Sequence, residues 1–173
     1  ALDMKALYND GTVAELPEDE VTHVVRHSAA HVMAQAIKRL YPEADFAYGP
    51  ATDNGFYYDI DLPDGQKISE NDFPAIEDEM KKIVKENLRL ERISVSRSEA
   101  KALMAEKGED YKLILINRVP EGEDITLYRQ GEFTDLCAGP HLFATGAVKA
   151  FKLTSVTGAY WRGSEKNKML TRI

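Results

Sequence analysis

Glu18-Asp19-Glu20-Val21-Thr22-His23-Val24-Val25-Arg26-His27-Ser28-Ala29-Ala30-His31-Val32-Met33-Ala34-Gln35-Ala36-Ile37-Lys38-Arg39-Leu40, followed beyond Pro42 by Phe46-Ala47-Tyr48-Gly49-Pro50-Ala51-Thr52-Asp53-Asn54-Gly55-Phe56-Tyr57-Tyr58-Asp59-Ile60, decides the fold. In the first stretch Val24, Val25, Ala29, Val32, Met33, Ala36, Ile37 and Leu40 recur at steps of three and four residues, the period of one helix face. Three acids sit at its N-terminus, where the helix dipole favours negative charge, and Pro42 ends it. The second stretch is aromatic and broken by Gly49-Pro50 and Asp53-Asn54-Gly55, and Asn-Gly beside Phe56-Tyr57-Tyr58 predicts a hairpin. An amphipathic helix thus leads into strands.

Outward from this core, Met4 to Tyr8, the turn Asn9-Asp10-Gly11 and a second short segment to Leu16 predict a small N-terminal hairpin. Residues 69–92 return to helical spacing through Phe73, Ile76, Met80, Ile83, Val84 and Leu88, and a shorter helix is expected over Ser96 to Lys107, opened by the capping-type run Ser96-Arg97-Ser98-Glu99. Leu113–Ile116, Ile125–Tyr128, Val148–Leu153 and Ala159–Arg162 are expected as strands. The connections are too short for parallel crossovers. The expected class is therefore α+β, a two-layer, mainly antiparallel sheet packed against helices.

Composition narrows the function. The 173 residues hold one Cys and no Cys-x-x-Cys, which excludes a disulfide framework and a zinc ribbon and fits a reducing compartment. The apolar runs fall far short of the ~20 residues of a membrane span, and the first 20 residues carry seven charges and no apolar h-region. A soluble, intracellular globular chain is expected. The net charge of −7 argues against a nucleic-acid binder only on average. Residues 1–80 hold 17 acids and 5 bases, whereas residues 142–173 hold one acid, Glu165, and six bases: Lys149, Lys152, Arg162, Lys166, Lys168 and Arg172. A polyanion would meet this C-terminal third; ordinary solvated surface charge is the alternative.

His27 and His31 stand one helical turn apart, a spacing that aims both imidazoles at one centre, and His23 extends the row. A zincin protease needs Glu directly after the first His, and Ser28 stands there. In Thr134-Asp135-Leu136-Cys137-Ala138-Gly139-Pro140-His141, Gly139-Pro140 forbids a helix and lets Cys137 and His141 converge on a turn. His27, His31, Cys137 and His141 together supply the four nitrogen or sulfur groups of a tetrahedral zinc site. Other readings are that Cys137 is a small buried hydrophobe, that His141 caps a turn, and that no metal is present and a neutral imidazole handles water near neutral pH.

His27-Ser28-Ala29-Ala30-His31, residues 49–59, residues 128–141 and Gly158-Ala159-Tyr160-Trp161-Arg162-Gly163, four motifs in order, resemble the editing domain of the bacterial threonyl-tRNA synthetases, from about residue 20 to the C-terminus. Alanyl-tRNA synthetase editing domains share the paired motifs, but Gly-Pro-His at 139–141 favours the threonyl family. The resemblance implies the α+β domain common to both families and an aminoacyl-tRNA deacylase that removes serine from threonine tRNA. Serine lacks one methyl of threonine, a difference worth only ~1–3 kcal/mol to a pocket sized for the larger side chain, so a second sieve is needed.

By matching position the resemblance implies an editing centre of His27, His31, Cys137 and His141, with Tyr58, Lys112 and Asp135 around it. His27 would activate water, Lys112 would hold the terminal adenosine or offset negative charge, Asp135 would bind the serine ammonium or hydroxyl, and Tyr58 would stack on a base or belong to the core. The implied organisation is a hairpin or linker over residues 1–20 in place of a β-grasp domain, an editing domain over 21–163, and a lead-in over 164–173 to an absent aminoacylation domain that would bind ATP. Zinc at the His/Cys cluster is a candidate rather than a requirement. The expected partners are the acceptor end of threonine tRNA carrying serine and the rest of the synthetase in cis, in the cytoplasm and without a membrane. Three alternatives stand: an alanyl-type trans-editing deacylase, a noncatalytic zinc-stabilised tRNA-binding module, and a zinc hydrolase unrelated to tRNA.

Overall fold

A 23-residue helix, α1 (Glu18–Leu40), organises the fold. The computed structural model describes residues 5–8, 10–63, 66–106, 110–117, 119, 125–136, 140–148, 151–160 and 169–173. Every residue of α1 from Ser28 to Ile37 is buried, so its second half is enclosed on all sides rather than amphipathic. The small residues Ala29, Ala30, Ala34 and Ala36 permit that enclosure, because neighbouring elements approach the helix closely on more than one face.

Among the described residues, three antiparallel sheets surround α1. The N-terminal hairpin forms as expected, β1 (Lys5–Leu7) pairing with β2 (Val13–Glu15), and β1 also pairs with β8 (His141–Leu142), which ties the hairpin into the fold. In the second sheet the order is β3 (Asp45–Tyr48), β4 (Asp59–Asp61), β10 (Met169–Arg172), β9 (Thr157–Tyr160). The expected hairpin is β3 and β4, with an Ala51–Phe56 bridge at its end. Residues 169–173, read from the sequence as a lead-in, belong to this sheet: β10 lies between β4 and β9, and Ile173 exchanges backbone hydrogen bonds with Tyr58 at 3.0 and 3.1 Å. The third sheet is β5 (Leu90–Val95), β6 (Ile125–Gln130), β7 (Phe133–Leu136).

Helix α2 (Phe73–Glu86), preceded by a short 3-10 turn at Glu70–Asp72, packs on α1 through Phe73, Ile76, Met80 and Ile83. The expected helix over 69–92 ends early. Asn87 adopts a left-handed conformation at φ 50°, and Leu90 onward pairs with β6 instead. Helix α3 (Arg97–Glu106) starts as expected, with the Ser96 hydroxyl accepting from the Glu99 amide at 3.2 Å.

Leu113–Ile116, expected as a strand, is instead the end of helix α4 (Asp110–Ile116). An apolar run of four has no resolvable period, and the helix is set by packing: Ile116 joins Ala100, Met104, Ile125 and Leu127 in a local core, and Arg97 donates to the carbonyls of Ile116, at 2.7 Å, and Val119. Val148–Leu153 is not a strand at its described positions, 148 and 151–153, of which Val148, directly after a 3-10 turn at Thr145–Ala147, and Leu153 are buried; residues 149 and 150 lie outside the described ones. The last expected strand appears as β9, its residues 161 and 162 lying outside the described ones. The observed class is the α+β arrangement of antiparallel sheets and helices that was expected.

Candidate functional site: a three-histidine cluster against a buried carboxylate

Helical spacing puts His27, Ser28, His31 and Gln35 along one side of α1. Strand β8 brings His141 against that side. The rings of His27 and His141 stack with centroids 4.1 Å apart, and the His31 ring lies 4.2 Å from that of His141 and 5.2 Å from that of His27. His31 and His141 are buried and His27 is partly exposed. His23, one turn earlier, is exposed and outside the cluster.

Burial and repulsion from His31 push His27 down from 6.5 to about 4, and burial pushes His141 well below the ordinary histidine value. Both rings are neutral at pH 7. His27 Nδ1 lies 3.3 Å from the carbonyl oxygen of Pro140, which can only accept, so Nδ1 carries the proton and Nε2 the lone pair. Ser28, a residue that sequence reasoning passed over, is buried; its hydroxyl lies 3.1 Å from His141 Nδ1 and accepts from the Leu142 amide at 2.9 Å.

Beside the imidazoles lies Asp135 on β7, also buried. Its Oδ2 accepts from the Tyr58 hydroxyl at 2.6 Å and faces His31 Nε2 at 3.1 Å, and its Oδ1 lies 2.7 Å from Lys112 Nζ. Burial alone would raise this carboxyl's pKa, but Lys112 and His31 outweigh it and hold Asp135 well below the usual carboxylate range. Lys112, buried on α4, also donates to the Tyr58 hydroxyl at 2.9 Å and to the Ala47 carbonyl at 3.2 Å, while its contact with Asp135 Oδ1 is an ion pair without hydrogen-bond geometry. The Tyr58 ring is fully buried against Phe46, and a Cβ on Gly49 would fall 2.1 Å from it. What Tyr58 directs at Asp135 is its hydroxyl.

The sequence-predicted residues His27, His31, Tyr58, Lys112, Asp135 and His141 therefore converge, and Cys137 lies outside the described residues. Sequence reasoning missed Ser28, Gln35 and Tyr128. Tyr128 packs its ring 4.8 Å from that of His141, and Gln35 accepts from the Gln130 amide at 2.8 Å and donates to Glu132 at 2.9 Å. For Ser28 and Gln35 the signal was polarity on a helix face that is otherwise apolar; Tyr128, on β6, carried none of its own. Of the six bases of the C-terminal third, Lys152 is exposed, while Arg172 makes a two-nitrogen contact with Asp59 at 2.7 and 2.9 Å and lies over the Tyr57 ring; the other four lie outside the described residues.

His27, His31 and His141 each offer a ring nitrogen within 4.8 Å of the others and could hold a metal ion. The partners of the remaining nitrogens, a carbonyl, a carboxylate and a hydroxyl, are of the type that orient histidine ligands. A zinc ion there would supply an acidified water.

Residues 125–173, which carry β6, β7, β8 and the last sheet strands, match the family described as "Threonyl and Alanyl tRNA synthetase second additional domain". Asp135 and His141 of the site lie inside that match, and His27, His31, Tyr58 and Lys112 precede it. The chain is 57% identical over 164 residues to a threonine–tRNA ligase of Clostridioides difficile (strain 630), covering 95% of this chain and 25% of that protein. It is 51% identical to threonine–tRNA ligase 1 of Bacillus subtilis (strain 168), covering 99% of this chain and 27% of that protein, and 55% identical to the enzyme of Acetivibrio thermocellus, covering 96% and 26%. The chain belongs to the threonyl-tRNA synthetase family, with residues 125–173 matching its second additional domain, and spans about a quarter of the length of these curated relatives. No described helix is long and apolar enough to cross a membrane.

Proposed function

We propose that this domain is an aminoacyl-tRNA deacylase that proofreads threonine tRNA by hydrolysing a mischarged seryl ester. The observation that carries this reading is the pairing of a neutral, partly exposed His27, its lone pair on Nε2, with the buried Lys112–Asp135–Tyr58–His31 group beside it. An acceptor nitrogen beside a buried Lys112–Asp135 ion pair suits a substrate that needs a water activated and a polar group oriented.

In the proposed reaction the water oxygen attacks the ester carbonyl carbon while His27 Nε2 takes the water's proton. The bond between that carbon and the ribose oxygen breaks, and the proton passes to the departing oxygen. The products are serine and tRNA with its hydroxyl restored. Asp135 binds the serine ammonium or hydroxyl; Lys112 and Tyr58 hold Asp135 ionised and in place. Cys137 and His141 complete the centre. The remainder of the synthetase, including its ATP-dependent aminoacylation domain, presents the acceptor end in cis, the basic C-terminal third meets the acceptor arm, and the reaction takes place in the cytoplasm.

The domain organisation that goes with this reading is an N-terminal hairpin or linker over residues 1–20 and an editing domain from residue 21 that takes in β10, the strand between β4 and β9. Hydrolysis of seryl and threonyl esters on threonine tRNA, compared between the chain and its His27→Ala variant, tests it. An alanyl-type editing domain would prefer a different tRNA. A noncatalytic zinc-stabilised module would bind tRNA, leave the ester intact and unfold with chelator.

A further inference from the structure

Ser28 offers an oxygen with one proton and two lone pairs. Its side chain is buried, and its partners are two: the Leu142 amide at 2.9 Å and His141 Nδ1 at 3.1 Å. The amide can only donate. Among the described residues, the one acceptor available to the hydroxyl proton is therefore Nδ1, because a buried hydroxyl that leaves its proton unbonded loses a hydrogen bond without compensation.

We propose that Ser28 is a positioning residue that fixes His141 as the tautomer protonated on Nε2, making His141 a hydrogen-bond donor in the cluster while His27, pinned by the Pro140 carbonyl, is the acceptor. Two stacked neutral imidazoles then differ in role because their outer nitrogens meet opposite partners, a hydroxyl proton for one and a carbonyl oxygen for the other. This deepens the deacylase reading and rests on it for its consequence: His27 takes the water's proton, and His141, buried and stacked on His27, holds that ring in the orientation the step needs. It also sets a condition on metal binding. Ligation through His141 Nε2 requires the proton to move to Nδ1 and the Ser28 hydroxyl to turn away from it.

Ring 15N–1H correlation spectra of the full chain at pH 7, with His141 assigned by its replacement, read the tautomer directly. Expected are an Nε2-protonated His141 in the wild type and in Ser28→Thr, which keeps the hydroxyl, and a shift toward the Nδ1-protonated form in Ser28→Ala. Seryl-ester hydrolysis by Ser28→Ala should fall about tenfold in kcat as the stacked rings lose their fixed orientation, with KM changed less than about twofold and with recovery in Ser28→Thr. An Nδ1-protonated His141 in the wild type overturns the proposal, and this decides the matter even if Ser28→Ala does not fold. A tautomer unchanged in a folded Ser28→Ala overturns it equally. Failure of the wild type to hydrolyse either ester strikes at the deacylase reading and leaves the tautomer assignment to be judged by the spectra.

Discussion

Lys112 Nζ lies 2.7 Å from Asp135 Oδ1 with both side chains buried, one reaching from α4 and the other from β7. The pair joins the α3–α4 layer to the hairpin that carries the site. Breaking such a pair from one side strands a buried charge, at a cost of about 3–5 kcal/mol, whereas removing both charges in favour of apolar groups is often close to neutral. Lys112→Ala should therefore lower stability by about that much in urea unfolding, and Lys112→Met combined with Asp135→Leu should recover most of it. Equal losses in the single and the double variant would contradict this account of the pair.

Gly49 meets the Tyr58 ring so closely that an added Cβ, 2.1 Å away, demands movement of the ring or of the β3–β4 connection. Gly49→Ala should cost about 1–3 kcal/mol by overpacking and draw the Tyr58 hydroxyl away from Asp135. Tyr58→Phe removes the same hydrogen bond without the clash. Ester hydrolysis should fall in both variants but the melting temperature should fall more in Gly49→Ala, and an unperturbed Gly49→Ala protein would show that the approach is not tight.

For His27 the folded value of about 4 lies below the unfolded value of about 6.5, so the unfolded chain binds the proton first as pH falls. Stability contributed by neutral His27 is complete above about 6.5 and is lost between 6.5 and 4, in all about 3 kcal/mol. His141 shifts the same way and adds to the loss, while Asp135, whose folded value is lowered, gives up its share only below the ordinary carboxylate range. Urea midpoints between pH 7 and 5 should decline less steeply in His27→Gln than in the wild type. Parallel declines would remove His27 from this window. Where the fold persists, hydrolysis should keep its rate below pH 6.5, where an ordinary imidazole base loses activity.

Arg39 bridges Glu79 and Glu86 of α2 and Glu132 of the β6–β7 turn, holding Glu132 at about 2. The network is partly exposed, so Arg39→Met should cost no more than about 1 kcal/mol and lose even that in high salt. A loss of several kcal/mol, insensitive to salt, would mean that the turn depends on Arg39 as much as on the buried Gln35–Gln130 contact.

The elements with a strong local signal were legible in the sequence. The long helix with its acids and its proline stop, the Asn-Gly hairpin and the Ser96 cap carry their own chemistry and formed where expected. Leu113–Ile116 did not, because four apolar residues look alike in a buried strand and in a buried helix, and only packing on Ala100 and Met104 separates the two. β5 was hidden behind apolar spacing that continues past Asn87, whose left-handed turn is a tertiary choice. The His pair was visible as a helical spacing, whereas Lys112 and Asp135 stood out only through a resemblance. Nothing in their own neighbourhoods announces a buried pair formed across 23 residues of chain. Ser28 was read only as the glutamate it is not, since a hydroxyl on an alanine-rich helix gives no sign of which imidazole it will meet.

The most direct test is hydrolysis of seryl and threonyl esters, both on threonine tRNA, by this chain and by His27→Ala at equal concentration. Expected are rapid loss of serine, survival of threonine, and a fall of about 10²–10⁴ in the seryl rate for the variant. Equal hydrolysis of the two esters, survival of both, or an undiminished seryl rate in His27→Ala would contradict the deacylase reading.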